Sequence, residues 1–399
     1  MQAIFGGAAT VIREATTLHK LVTAIEGAEW YSDSYDAFGD AYEGLLQKNA
    51  EETKRGAGQY FTPRALVDAI VDLTRPRPGE IIQDPAAGTG GFLVAADRAL
   101  RRGWKPRNNQ EARFQNTQAL RGVENVIDTY RLLCMNLYLH GIEAEHVIMG
   151  DTLSPVGSDP ALANANVILS NPPFGSAGGP PSRPELMITR RSTYFQLPFV
   201  EHCLRALAPG GRAAVIVPDN VLFEGGAGRA LRQALMRECD LHTILRLPTG
   251  IFYAQGVRTN VLFFSRPNMT SEGDATEAVW IYDMRASDQR IGRPGADFAR
   301  GLSDFIEAFG PDPLGRSKRT DGGEAGRFRR FSREAIAARD DDLYVTWLKE
   351  GGDLEAGLEH LPPDDVAAVL EQHLVLALGE IRALIDELDE DRLGAEIAE

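Results

Sequence analysis

Apolar residues recur along this chain with two periods, and the change from one to the other divides it. ATVIREATTLHKLVTAIEGA, from Ala9, has apolar positions at helical spacing, and DAFGDAYEGLLQKNAEETK follows with Phe38, Tyr42, Leu45 and Leu46 on one face. Residues 1–56 are therefore expected as a helical N-terminal region. From residue 57 short apolar runs alternate with helical patterns. Ile81–Gln83, Leu120–Val123, Val147–Met149, Val167–Leu169, Ala213–Val217, Leu241–Leu247 and Val261–Phe264 have the length and content of buried strands. Thr129–His140, Tyr194–Ala208 and Gly228–Cys239 are periodic helices between them. This alternation predicts an α/β core over 57–280, a doubly wound and mostly parallel sheet with helices on both faces. Two long polar loops, 103–118 and 175–192, interrupt the order, and loops of that length in a compact domain tend to be functional.

Past Trp280 the pattern fades, and 281–360 is expected as an irregular, locally basic extension. Within it GRSKRTDGGEAGRFRRFSRE (315–334) reads equally as a solvated loop or as a nucleic-acid contact. From Pro363 a strong helix returns. Ala367, Leu370, Leu374, Ala377, Ile381, Leu384 and Leu388 alternate at spacings of three and four, the seam of a short coiled coil. The segment 361–399 is expected to dock onto a partner helix, with packing on its own domain as the alternative.

Composition narrows the class. Hydrophobic content of 43% and charged content of 25% are those of an ordinary soluble protein. No apolar run approaches the roughly 20 residues that span a bilayer, and the N-terminal stretch, with charges on both sides of a short apolar run, reads poorly as a signal peptide. Cys134, Cys203 and Cys239 form no CxxC pair; they are expected as buried thiols in a reducing cytoplasm, with no metal site. The net charge of −15 opposes autonomous binding to a polyanion, because affinity for DNA comes largely from phosphate neutralisation. Either nucleic acid is not the substrate, or a partner supplies basic surface.

Four elements carry the chemistry. In IIQDPAAGTGGFLVAA (81–96) a strand ends in Asp84 and a glycine turn with Gly88, Gly90 and Gly91 leads into a helix. Such glycines let backbone pass close to a ligand. An acid at the strand's end suits an ammonium group better than a pyrophosphate, and S-adenosylmethionine carries one. LRGVENV ends a second strand in Glu124, where an acid can accept from ribose hydroxyls. HVIMGDTL places Asp151 after a third, within reach of an adenine amino group. VILSNPPFG then puts Asn171, Pro172, Pro173 and Phe174 at the end of a fourth. An amino group on an aromatic ring is a poor nucleophile because its lone pair is delocalised. The Asn171 side-chain carbonyl and the Pro172 backbone carbonyl can hydrogen-bond its two N–H groups and stabilise the charge that develops as a methyl arrives. The prolines hold these carbonyls rigidly, and Phe174 offers a face for a base.

GAGQYFTPRALV (56–67), DPAAGTGGFL (84–93), GDTL (150–153) and NPPFG (171–175), in this order, resemble the modification subunit of type I restriction–modification systems. The resemblance runs from about Trp30 to about Phe264, and includes PGGRAAVIVPDNVLF and LPTGIFYAQGVRTNVLFF. It implies an adenine-N6 DNA methyltransferase that uses S-adenosylmethionine. Tyr60, Phe61, Thr62 and Pro63 would then shape the methionine pocket. Asp84, Ala86, Gly88, Thr89, Gly90 and Gly91 would hold the methionine part, Glu124 the ribose, and Asp151 with Thr152 the adenine. Asn171, Pro172, Pro173 and Phe174 would grip the target base, with Asn171 also facing the cofactor. The implied partners are DNA, a specificity subunit that reads it and docks partly through the terminal helix, a second copy of this subunit and a restriction subunit. That resemblance also accounts for an acidic chain. About 56 residues precede QYFTPR, fewer than such subunits carry, which implies a shortened N-terminal domain. Three other readings stay open from the residues alone. They are a self-contained DNA adenine methyltransferase, a protein glutamine N5-methyltransferase with the same amide-nitrogen problem, and a non-catalytic assembly subunit.

Overall fold

The computed structural model describes residues 12–27, 62–143, 145–248, 251–252, 258–269, 273–285 and 296–348. The second N-terminal helical pattern, Tyr60, Phe61 and the coiled-coil segment from Pro363 lie outside the described residues. Helix α1 (Ala15–Glu26) is present in the first N-terminal pattern.

Helix α2 (Arg64–Thr74) leads into strand β1 (Ile82–Asp84), followed by α3 (Gly91–Gly103), α4 (Asn109–Arg113), β2 (Leu120–Glu124), α5 (Ile127–Leu139), β3 (His146–Met149) and β4 (Ala165–Ser170). Next come α6 (Gln196–Ala206), β5 (Leu207–Pro218), α7 (Asn220–Phe223), α8 (Ala227–Glu238), β6 (Asp240–Arg246) and β7 (Thr259–Ser265). The described chain ends with β8 (Ala278–Asp283), α9 (Ala296–Phe309), β9 (Phe328–Ser332) and α10 (Arg333–Ala337). The nine strands of the described residues form one sheet in the order β3-β2-β1-β4-β5-β7-β6-β8-β9. The run from β3 to β5 is parallel, as is β6 with β8. Strand β7 is antiparallel to both β5 and β6, and β9 is antiparallel to β8.

The strand residues show why the predicted runs are continuously apolar. Val167, Leu169, Ala214, Ile216, Val261 and Phe263 enter one core, with α2, α3, α5 and α9. Their neighbours Ile168, Ala213, Val215, Leu262 and Phe264 enter the other, with α6 and α8. A strand with helices on both faces has no solvent side, so alternation between apolar and polar disappears.

Three expectations change. The polar stretch 103–118 is not a plain loop: it contains α4 and a π-helical turn at Phe114–Gln118. Asn108 accepts from the backbone N–H of Glu111, and the Glu111 carboxylate reaches back to the backbone N–H of Arg107. This reciprocal cap stabilises a helix too short to show a period. Cys134 is half-buried, unlike Cys203 and Cys239. Buried Leu133, Asn136 and Leu137 form the inner stripe of α5, and Cys134 stands beside it.

The third change lies beyond Trp280, where the sheet continues through β8 and β9 instead of giving way to irregular chain. Phe298, Leu302, Phe305 and Phe309 of α9 join the first core. The basic stretch 315–334 holds this end together. The Arg319 guanidinium lies 4.7 Å from the Phe309 ring centroid and 5.6 Å from that of Phe328, and donates to Thr243 Oγ1 at 2.9 Å. Arg329 stacks on Phe331 and Trp347, and Arg333 pairs with Asp274 and Asp341. Arg316, Lys318 and Arg330 remain exposed. Neither a solvated loop nor a nucleic-acid contact describes Arg319, Arg329 and Arg333, whose guanidinium groups are held within the fold.

Gly90 is required by packing. It has φ +90°, and a Cβ added there would lie 2.6 Å from Leu133 Cδ1 on α5. Gly90→Ala is expected to lower stability by about 1–3 kcal/mol, from overpacking and backbone strain together. Urea unfolding of the two proteins measures this directly, and an unchanged midpoint would contradict it.

Candidate active site

Because β1 to β4 run parallel, their C-terminal ends open on one edge of the sheet. After β3 the chain crosses to the other side of β1, so the gap beside β1 is a topological switch point, where open α/β sheets bind ligands. Asp84, Glu124, Asp151 and Asn171 all stand on that edge, at or just after the four strand ends.

Asp84 is 2% exposed. Its Oδ1 accepts from the Ala86 backbone N–H at 3.0 Å and from the Ser170 hydroxyl at 2.8 Å. Burial nevertheless pushes its carboxyl up to about 7, with nearby Glu124 adding to the rise and the two hydrogen bonds opposing it. Glu124 is also buried, and burial raises its carboxyl as well. Its two oxygens accept from the backbone N–H groups of Gly88, at 3.0 Å, and Val126, at 2.8 Å. Glu124 therefore braces the glycine turn as well as presenting a carboxylate.

The glycine turn is held from below and open above. Asn136 of α5 donates to the Thr89 carbonyl at 2.8 Å. An added Cβ on Gly88 or Gly91 would meet no atom within 4 Å, so the backbone there faces open space. Thr152 donates from Oγ1 to the Pro85 carbonyl at 2.5 Å, tying the third strand end to the first. Asp151 is half-buried and accepts from the Leu153 N–H at 2.8 Å. With Leu153, Phe195 and residues 177–182 it encloses a cleft of about 260 Å³.

At the fourth end Pro172 is buried, and Pro173 and Phe174 are half-buried, with Phe174 packed partly against the core. The Asn171 amide donates from Nδ2 to Thr62 Oγ1 at 2.9 Å. Thr62 immediately precedes Pro63 and the α2 helix, so the Asn171 turn is linked to the segment expected around the methionine. Tyr60 and Phe61 are outside the described residues.

The structure places Asp84, Glu124, Asp151 and Asn171 on one edge of the sheet, and joins Glu124 to the glycine turn, Thr152 to Pro85 and Asn171 to Thr62. Reading along the chain missed Ser170, Asn136 and Phe195. Ser170 and Asn136 did leave a signal, since each is a polar residue inside an apolar pattern. Phe195 follows a polar loop and leaves none.

The donors that S-adenosylmethionine offers match this set. Buried carboxylates at successive strand ends suit an ammonium group and ribose hydroxyls, and an uncovered glycine backbone suits close approach of a ligand. Comparison with known proteins agrees. The N-6 DNA Methylase family matches residues 33–339. The chain is 43% identical to the Type I restriction enzyme StySJI methylase subunit of Salmonella typhimurium strain LT2, over 97% of this chain and 80% of that one. Identity and coverage are the same for the EcoKI methylase subunit of Escherichia coli strain K12. The crystal structure of the EcoKI M protein superposes with a TM-score of 0.65 and 36% identity, covering 100% of this chain and 82% of that chain.

Proposed function

Because the chain belongs to the N-6 DNA methylase family, we propose that its sheet edge holds S-adenosylmethionine and presents an adenine extruded from DNA to Asn171, Pro172 and Phe174. The activity is that of an adenine-specific DNA methyltransferase, the modification subunit of a type I restriction–modification enzyme. The high identity to such subunits across nearly the whole chain favours this over a glutamine N5-methyltransferase, a self-contained enzyme or a non-catalytic subunit.

S-adenosylmethionine supplies an electrophilic methyl group when bound. Asp84 holds the ammonium end, with Pro63, Ala86 and the backbone of Gly88, Thr89, Gly90 and Gly91 lining the methionine. Glu124 accepts from the ribose. Asp151 accepts from the adenine amino group, with Thr152 fixing its turn. The cleft beside Asp151 takes the adenine ring against Phe195. With its Nδ2 committed to Thr62, Asn171 presents its carbonyl oxygen to one N–H of the target adenine. The Pro172 carbonyl takes the other, and the exposed part of Phe174 stacks on the base. The two acceptors favour a pyramidal nitrogen and stabilise its developing positive charge.

Extruding the base costs a few kcal/mol, which contacts of the whole assembly would offset. A net charge of −15 supports a partner that supplies most of that basic surface. In our reading a specificity subunit reads the DNA and docks partly through residues 361–399, a second copy and a restriction subunit complete the assembly, and the assembly works in the cytoplasm. Residues 1–56 and 57–280 serve as helical N-terminal region and catalytic core. Among the described residues no helix is long and apolar enough to cross a membrane.

The observation that carries this reading is the Asn171 turn, anchored to Thr62 and set one residue from the Ser170 that bonds Asp84. N6-methyladenine formation on unmodified DNA tests it, using labelled S-adenosylmethionine and the full chain with and without the specificity subunit. Methylation is expected with the subunit and not without it. Sequence-specific methylation by the chain alone would overturn partner dependence. No methylation by the complete assembly, with cofactor bound, would overturn the catalytic reading.

A further inference from the structure

We propose that Arg183 is a positioning residue that clamps both walls of the cleft beside Asp151 and thereby sets its selectivity for the adenine of the cofactor. The inference rests on the reading of Asp151 given above. Arg183 is 6% exposed and lies at the end of the wall formed by residues 177–182. Its Nη1 donates to the Thr152 carbonyl at 3.1 Å, in the residue after Asp151. Next to it, the Ser182 N–H donates to the Leu153 carbonyl at 3.0 Å. Two adjacent residues of one wall are thus fastened to two adjacent residues of the other.

The clamp is rooted in the core. Nη1 also lies 2.6 Å from Nδ1 of His202, a fully buried side chain on α6. A guanidinium can only donate, so Nδ1 accepts and the ring proton is on Nε2. Nε2 lies 3.2 Å from the side-chain nitrogen of buried Gln83, so with the proton on Nε2 the Gln83 amide is turned over, bringing its oxygen to this position to accept. Gln83 immediately precedes Asp84 on β1, so one polar chain runs from the methionine acid's strand to the turn of the adenine acid. Burial, with the charge of Arg183, holds His202 down to about 3, so it stays neutral and accepting wherever the enzyme works.

Arg183 Nε and Nη2 donate to Glu185 at 3.2 and 3.0 Å, and Glu185 in turn accepts from the Ser158 hydroxyl. Backbone closes over the clamp at Gly157, where an added Cβ would lie 1.9 Å from the Thr152 oxygen and 2.7 Å from Arg183 Nη1. A planar guanidinium reaches these acceptors in different directions at once, which an ammonium on a flexible stem cannot. What the clamp fixes is the direction of the Asp151 turn. Hydrogen bonding to a ligand's amino group discriminates only when the acceptor cannot follow a ligand that lacks it.

The test compares S-adenosylhomocysteine with its inosine analogue, in which oxygen replaces the 6-amino group. Calorimetric dissociation constants are measured with the full chain as wild type, Arg183→Met and Arg183→Lys, alongside melting temperatures. Wild type is expected to prefer the adenine ligand. In Arg183→Met that ligand should weaken about 10- to 100-fold, the effect of losing hydrogen bonds from a charged group. The inosine analogue should change little, so the preference collapses. Arg183→Lys should recover a small part of it. His202→Leu should reproduce the collapse, and His202→Asn, which keeps an acceptor near the Nδ1 position, should restore most of the preference; this pair decides the matter if Arg183→Met does not fold. Equal weakening of both ligands, or a lower melting temperature with the preference intact, would reduce Arg183 to a structural residue and overturn the proposal. A wild type without preference would instead overturn the role given to Asp151.

Discussion

Replacing Asn171 with alanine is expected to lower methyl transfer by at least about 100- to 1,000-fold while the affinity for S-adenosylmethionine stays within a few-fold. The magnitude is that of removing one preorganised polar group aimed at developing charge. The asymmetry follows from geometry. Asn171 follows β4, whereas the groups assigned to the cofactor stand mostly on β1, β2 and β3, with their own hydrogen bonds. Alanine leaves the buried Pro172 and its carbonyl in place, so one acceptor for the target amino group remains. It also leaves the Thr62 hydroxyl without its Asn171 donor, a small local loss beside that of the acceptor. Single-turnover transfer by the assembled enzyme and calorimetric titration of the cofactor separate the two quantities. Loss of both would contradict the role assigned to Asn171.

The second large effect belongs to Asp84, and it depends on pH. Asp84→Ala is expected to weaken cofactor binding by about 2–5 kcal/mol, roughly 30- to 4,000-fold, as for removal of one partner from a buried charge pair. In the native protein burial holds the Asp84 carboxyl near 7, so below that pH the empty site is mostly protonated and a poor partner for an ammonium. Affinity should therefore rise with pH, up to about tenfold per unit below 7, and level off above it, with a proton released on binding. Folding stability has the opposite slope. The folded carboxyl binds its proton more tightly than the unfolded one, whose value is 3.8, so the empty protein loses stability as pH rises from about 4 to about 7. Above that window the penalty is constant, and a bound cation relieves it. Titrations between pH 5.5 and 8.5, in buffers of different ionisation enthalpy, measure affinity and proton release together. A flat profile in the native protein, or an unaltered dissociation constant in Asp84→Ala, would remove Asp84 from the ammonium site.

Much of this architecture was written locally. The run VILS, the glycines after Asp84 and the acids after successive strands each report a backbone state that nearby residues impose. Strands β1 to β5 accordingly appear where the apolar runs lie, within a few residues, and parallel order alone brings their tips to one edge. The start of β5 is the largest displacement: pairing of Leu207 with Ala165 extends the strand upstream of the apolar run at Ala213.

What the sequence by itself determined was therefore the element types of the core, the glycine turn and the four chemical tips, because period and turn chemistry act over a few residues. Tertiary structure alone decided partners. Strand β7 lies antiparallel between β5 and β6, yet a strand buried on both faces reads the same in either direction. Strand β9 joins the sheet through pairing with β8, and Arg319 finds its aromatic rings on three separate elements. Ser170 meets Asp84 across 86 positions, and Asn171 meets Thr62 across 109. Arg183 reaches Thr152 and His202 from a loop with no period at all. A hydrogen bond or a stacked cation exists only within a few ångströms, and which groups come that close is set by how the helices pack on the sheet, a property no local window of the chain contains.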